Sequence, residues 1–294
     1  MIRRLCLRCV PAVVVALACA AGMASAAKPD DDDDQGGKGK PCAGLPDQSA
    51  LKTALDAANA ADTSGLKNQM WATIVDRDGV VCAVAFTGTN RGAQWSGSRV
   101  ISAQKANTAN AFSLDSTSFS SSRGQAAGLA LSSANLYAAV QPGGSLYGLQ
   151  HSNPVETGVA FKGPSLKYGT SSDPMVGEKI GGVNVFGGSL GLHATGHVLV
   201  GGVGVSGDTS CRDHNVAWNL RHNLALDHMA ISGALAAVAG PASLFAGDVT
   251  HPDNIIFDLT PFADGHADSN SPSGFGHPTC LGWIPPTGLP AVIP

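Results

Sequence analysis

The chain has 294 residues, of which 44% are hydrophobic and 14% charged, with 37 glycines. This length suits one medium domain with extensions, and with a formal net charge of −4 no basic surface argues for nucleic-acid binding. Past the N-terminus, no run is long and apolar enough to span a bilayer as a helix.

Residues 1–26 read as an export signal. Arg3, Arg4 and Arg8 precede an apolar stretch at 10–21, and Ala24-Ser25-Ala26 forms a small-residue cleavage site. Cleavage would remove three arginines and bring the charge from −4 to about −7. Cys19 loosely resembles a lipoprotein cysteine, but Ala16 stands where leucine is expected, which disfavours lipidation. These features predict a periplasmic or secreted protein. Residues 27–45 form an acidic, glycine-rich linker carrying Asp30 to Asp34, a run that suits solvated chain.

The folded domain is expected over residues 46–232. Asp47 is a plausible N-cap, followed by Leu51, Ala54, Leu55, Ala58 and Ala61 at helical spacing. Residues 70–75 are rich in β-formers, Asp76-Arg77-Asp78-Gly79 is a hairpin turn, and residues 80–86 are the return strand. An alanine-rich helix follows at 98–112, with a weaker helical candidate at 124–140. Residues 141–181 form an inserted loop, of which 151–179 are Pro-, Gly- and Ser-rich and read as a surface excursion. Residues 182–206 then form a second hairpin, turning at Ala194-Thr195-Gly196.

The last helix is expected at about 212–230, with Val216, Ala217, Leu220 and Leu224 as its apolar stripe. His214, Trp218, Arg221, Ala225 and His228 fall on the opposite side, which reads as facing solvent or a partner; His222 joins the two other histidines within a third of the circumference. Residues 233–294 form a Pro/Gly-rich C-terminal extension that would lie over the domain or at a subunit contact. Strands joined by hairpins rather than by crossovers predict an α+β domain, an antiparallel sheet with helices packed on it.

Of seven cysteines, Cys42, Cys82, Cys211 and Cys280 lie outside the signal, and an oxidising compartment would pair them into two disulfides. Three pairings are open. The placement of Cys82 and Cys211 beside predicted strands favours Cys82–Cys211, leaving Cys42–Cys280 to tie the extensions together.

Four pieces together resemble the GlcG/HbpS-like family, whose named member is an extracellular haem-binding protein. They are the opening helix through Leu55 and Ala58, the hairpin Ile74-Val-Asp-Arg-Asp-Gly79, the Lys105-Ala106-x-Thr108-Ala109-x-x-Phe112 segment, and the hairpin from Gly187-Gly188 to Gly201-Gly-Val-Gly-Val-Ser-Gly207 with Asp213 beyond it. The resemblance covers roughly residues 46–226. It implies a profilin-like α+β fold, self-association and haem as cofactor. The chain departs from the family in the insertion at 151–179, in Ser189 and Gly191 where apolar residues are common, and in the tail.

A haem carrier needs an axial ligand, usually a neutral imidazole, and benefits from cations at the propionates. His193 and His197 flank the second turn and are expected to be near cross-strand neighbours, so they could present two imidazoles to one metal. His214 is the alternative axial ligand. Lys105 and Arg99 lie near the Gly-rich strand by analogy with the family and could meet a carboxylate; the plainer expectation is a lysine stem packed on the sheet with its head in water. Enzyme signatures are thin: there is no nucleophile elbow, P-loop or His-Glu-x-x-His. The leading expectation is thus an exported, non-catalytic haem-binding or flat-cofactor-binding carrier or sensor. The alternatives are an oligomeric structural or sensory module that contacts a protein partner, and an enzyme on a small hydroxy acid or aldehyde.

Overall fold

The computed structural model describes residues 40–114, 130–229, 250–260, 271–282 and 288–293. The expected signal, most of the acidic linker, the first part of the 124–140 helix and parts of the tail lie outside the described residues. Among the described residues no helix is long and apolar enough to cross a membrane.

Four strands form one antiparallel sheet: β1 (Trp71–Asp76), β2 (Val81–Phe86), β3 (Ser189–Ala194) and β4 (Val198–Ser206), in the order β2-β1-β4-β3. The expected α+β architecture is thus present. Strand alternation sends Ala72, Ile74, Val203, Val205, Leu190 and Leu192 to one face and Trp71, Val75, Val81 and Val84 to the other.

The first face receives α1 (Gln48–Ala61). Asp47 caps it by accepting from the Ala50 amide at 2.9 Å, and Leu51, Ala54, Leu55 and Ala58 form its buried stripe. The second face receives α2 (Ser98–Ala111). The glycines of β4 allow this approach. A Cβ on Gly202 would stand 2.3 Å from the Ala106 carbonyl oxygen, and one on Gly204 would stand 2.1 Å from that of Ser102. The Gly-rich strand is therefore a seat for a helix, with Thr73 and Ser102 sharing a buried hydroxyl contact at 2.8 Å beside it.

Residues 151–179 lie mostly at the surface, as expected, but the stretch from Leu149 carries two single-turn helices, α3 (Leu149–Ser152) and α4 (Thr157–Ala160), and a few buried residues anchor it. Ala160, Met175 and Ile180 are buried against Trp71, Val75, Val81 and Val84. The segment also covers the outer edge of β2, where the Val81 amide donates to the Glu178 carbonyl and the Gly177 amide to that of Val81, both at 2.9 Å. Composition hides this because a few apolar residues among glycines suffice to fill a shallow site.

The last helix, α5 (Ser210–Asn223), packs on β3 and β4 beside α1. It ends seven residues earlier than expected, because Leu224 and Ala225 turn the chain so that Asp227 bridges to His193 on the outer edge of β3. The disulfides are Cys42–Cys82 and Cys211–Cys280, not the favoured Cys82–Cys211 and Cys42–Cys280. Asp76 explains the first, since its carboxylate accepts from the Cys42 amide at 3.2 Å and holds the chain entry beside β2.

Candidate functional site

The chemistry-bearing side chains converge where α2, the N-terminus of α5 and Gly187-Gly188 meet. Residues 182–188 do not extend the hairpin as expected. α2 side chains hold them instead: Asn107 donates to the Gly182 carbonyl at 2.8 Å, and the Asn184 amide donates to the Thr108 hydroxyl at 2.9 Å. Gly188 has φ +123°, and a Cβ there would stand 2.5 Å from the Val205 carbonyl oxygen and 2.7 Å from Lys105 Nζ.

Lys105 is fully buried, contrary to a head in water. Its ammonium donates to Asp213 Oδ2 at 2.7 Å and to the Val205 carbonyl at 3.0 Å, and lies 4.7 Å from the centre of the Phe186 ring. Asp213 sits in the first turn of α5, where a carboxylate suits the helix dipole, and its other oxygen accepts from the Asp208 amide at 2.9 Å. Burial pushes Asp213 up to about 6 and pulls Lys105 down, against their mutual attraction.

Arg99 is also engaged. It makes a two-pronged pair with Asp173, donates to the Ala160 carbonyl at 2.8 Å and lies 3.6 Å from the centre of the Tyr168 ring. Neither cation is free to meet a propionate.

The histidines part company. His197 is the last residue of the turn, with φ +64°, and is not a strand residue; Ala194 pairs with Val198 and His193 with Leu199, so His193 and His197 are not cross-strand partners. His193 is buried, and its backbone joins β3 to Leu226 and His228. His222 is half-buried and pairs with Asp227 at 2.8 Å. Among the described residues, His193, His197 and His214 do not form a three-ligand group.

His214 is fully buried, which corrects the solvent- or partner-facing reading for that residue; His222 is part exposed, and His228 lies beyond the end of α5. Burial is the main cause that lowers it to about 3, so it is a neutral imidazole at neutral pH. Neither ring nitrogen makes a hydrogen bond of normal geometry, and Asn254 is a polar neighbour. Gly187 lies against it; a Cβ at 187 would stand 3.2 Å from His214 Cβ.

The structure adds His277, which no spacing singled out. Its Nδ1 donates to the Pro278 carbonyl at 2.7 Å, which leaves Nε2 to accept from the Gly187 amide at 3.3 Å. Burial lowers it to about 4.

The tail explains why the polar side of α5 is buried. Trp218 donates to the Pro290 carbonyl at 2.9 Å and lies 5.4 Å from the His251 ring, centre to centre. Arg221 forms a two-pronged pair with Asp253, at 2.6 and 2.9 Å. Cys280 bonds to Cys211 at the start of the helix.

A family model described as "Haem degrading protein HbpS-like" matches residues 45–220. The chain belongs to the HbpS-like family. Two solved structures are similar at low identity. One is described as the PduOC:Heme complex, 20% identical, covering 60% of this chain and 89% of that one, with a TM-score of 0.37. The other is the Klebsiella pneumoniae protein ORFY, of family-model DUF336, 20% identical, covering 65% of this chain and 95% of that one, with a TM-score of 0.39. No curated protein matches.

The site fits haem in one respect. His214 supplies the neutral, unprotonated nitrogen that an iron ligand requires, with no hydrogen bond of normal geometry to give up. It does not fit in another. Arg99 and Lys105 are neutralised by Asp173 and Asp213, and the tail closes over α5, so neither cation fits the role of propionate partner.

Proposed function

We propose that this HbpS-like chain is an exported haem-binding protein that carries or senses the cofactor without turning it over, with His214 holding the iron. Family membership supports haem as the ligand class. The single observation that carries the residue assignment is the buried, neutral imidazole of His214, whose nitrogens lack a normal hydrogen bond. Two disulfides support an oxidising compartment, as does the signal-like sequence at residues 1–26. Haem would supply a metal centre and a flat apolar surface; the chain's own part is to keep His214 unprotonated and shielded from water. Because the tail covers α5, the ring enters only where the tail is displaced. Self-association, which the family implies, belongs to the same reading.

The test is a hemin titration of the purified chain. A saturable Soret band is expected, with affinity reduced at least tenfold in His214→Ala and unchanged in His197→Ala. An absent Soret change overturns haem binding, and equal affinity in His214→Ala overturns the ligand. Loss of the band over time with ascorbate and oxygen would assign turnover in place of carriage.

A further inference from the structure

Between α5 and the tail lies a cavity of about 360 Å³, lined by Asn215, His251, Asn254, Ile255, Phe257 and Leu289 among others. Asn215 is 1% exposed, yet among the described residues neither its amide oxygen nor its amide nitrogen has a hydrogen-bond partner. A buried amide is normally satisfied, and one left open is destabilising unless something else occupies it. Other polar groups of the wall are engaged. His251 meets the Thr250 hydroxyl at 2.9 Å and the Leu289 carbonyl at 3.2 Å, and Asn254 Oδ1 accepts from the Ile255 amide at 2.7 Å. No lysine, arginine, aspartate or glutamate is among the lining residues, and Ile255, Phe257 and Leu289 make an apolar wall.

An asparagine amide offers one donor and one acceptor side by side. Its complement is a group with an acceptor and a donor in the same arrangement, such as a primary carboxamide, a lactam or the edge of a nucleobase. We infer that this cavity is a binding site for a small, uncharged, partly apolar molecule bearing an amide-like edge, which Asn215 receives through two hydrogen bonds while Phe257 and Leu289 cover its apolar part. The site is a property of this chain's extension. The family match ends at residue 220, so every lining residue named above except Asn215 comes from beyond it. It adjoins His214, since Asn215 follows that residue in α5 and Asn254 neighbours its ring, so the test is made without haem.

The probes are benzamide and 2-pyridone, with benzoate and toluene as controls, added to the full oxidised chain without haem. Saturable rises in melting temperature are expected with both probes and not with benzoate, which has no donor, or with toluene, which has neither group. Asn215→Leu is expected to reduce probe affinity at least tenfold while leaving the ligand-free melting temperature equal or higher, since it removes an unsatisfied amide. Three results overturn the inference: no saturable shift with either probe, which assigns the cavity to water; undiminished binding in Asn215→Leu; or a lower ligand-free melting temperature in a folded Asn215→Leu, which marks the amide as structural. Should that variant fail to fold, Phe257→Ala serves. Weaker probe binding supports the site, and unchanged binding rejects it.

Discussion

Lys105 and Asp213 illustrate how a charged pair can be structural. Each is desolvated, and each is tolerable only because the other is 2.7 Å away. Removing one partner leaves a buried charge. Lys105→Met or Asp213→Asn alone is expected to cost about 3–5 kcal/mol, and Lys105→Met with Asp213→Leu to recover part of it. Urea unfolding of the single and double variants checks this; additive losses would show that the pair is uncoupled. Acid provides a second test. His214 and His277, at about 3 and 4 in the folded chain against 6.5 in the unfolded, refuse protons that the unfolded chain binds, so their contribution to stability shrinks as pH falls below 6.5. Asp213 acts oppositely between 3.8 and about 6, where the folded chain keeps a proton that the unfolded chain has released. Two histidines outweigh one aspartate. The urea midpoint is therefore expected to be lower at pH 4.5 than at pH 7, and replacing His277 by Gln should flatten the difference.

At the scale of elements, the contact between α2 and β4 depends on missing side chains. Val203 and Val205 face α1 and α5, while Gly202 and Gly204 face α2, so one strand is apolar on one side and bare on the other. Gly204→Ala would place a methyl into the Ser102 carbonyl and force α2 away, with an expected loss of about 1–3 kcal/mol or more. Thermal denaturation reads this directly; an unchanged melting temperature would mean that α2 and β4 are not in close backbone contact at Gly204. The edges of the sheet are managed similarly by short contacts. Glu178 covers β2 and Asp227 covers β3, so neither edge is left as a long open template.

For the whole molecule, the tail is a second layer over α5. It buries Trp218 and Arg221, and Cys211–Cys280 ties it to the first turn of the helix across a sequence separation of 69. A loop of that length is worth about 4 kcal/mol in the chain-entropy account of disulfides. Cys280→Ser, with Cys211→Ser to avoid a stray thiol, is expected to lower stability by an amount of that order and to red-shift tryptophan emission as Trp218 meets water. An unchanged emission maximum would show that the tail holds without the bond. The same variant is expected to take up hemin faster, because the cover over His214 is loosened.

The helix at 48–61, the two hairpins and the helix at 98–111 were legible in the sequence because their signals are local: an N-cap, a 3.6-residue stripe, an Asp-Gly turn and a paired run of β-formers. The family was legible for the same reason, since its motifs are those local pieces. The site was legible only in part. His214 and Lys105 could be named, but their burial could not, because α5 shows one apolar stripe and its other side is covered by a tail with no periodicity. His277, Asn254 and Asn215 gave no spacing signal, and the pairing of four cysteines cannot be decided from their order. Tertiary structure settled these points. Burial of a polar side chain depends on which distant segment lies over it, and that is fixed by packing across the fold rather than by neighbours along the chain.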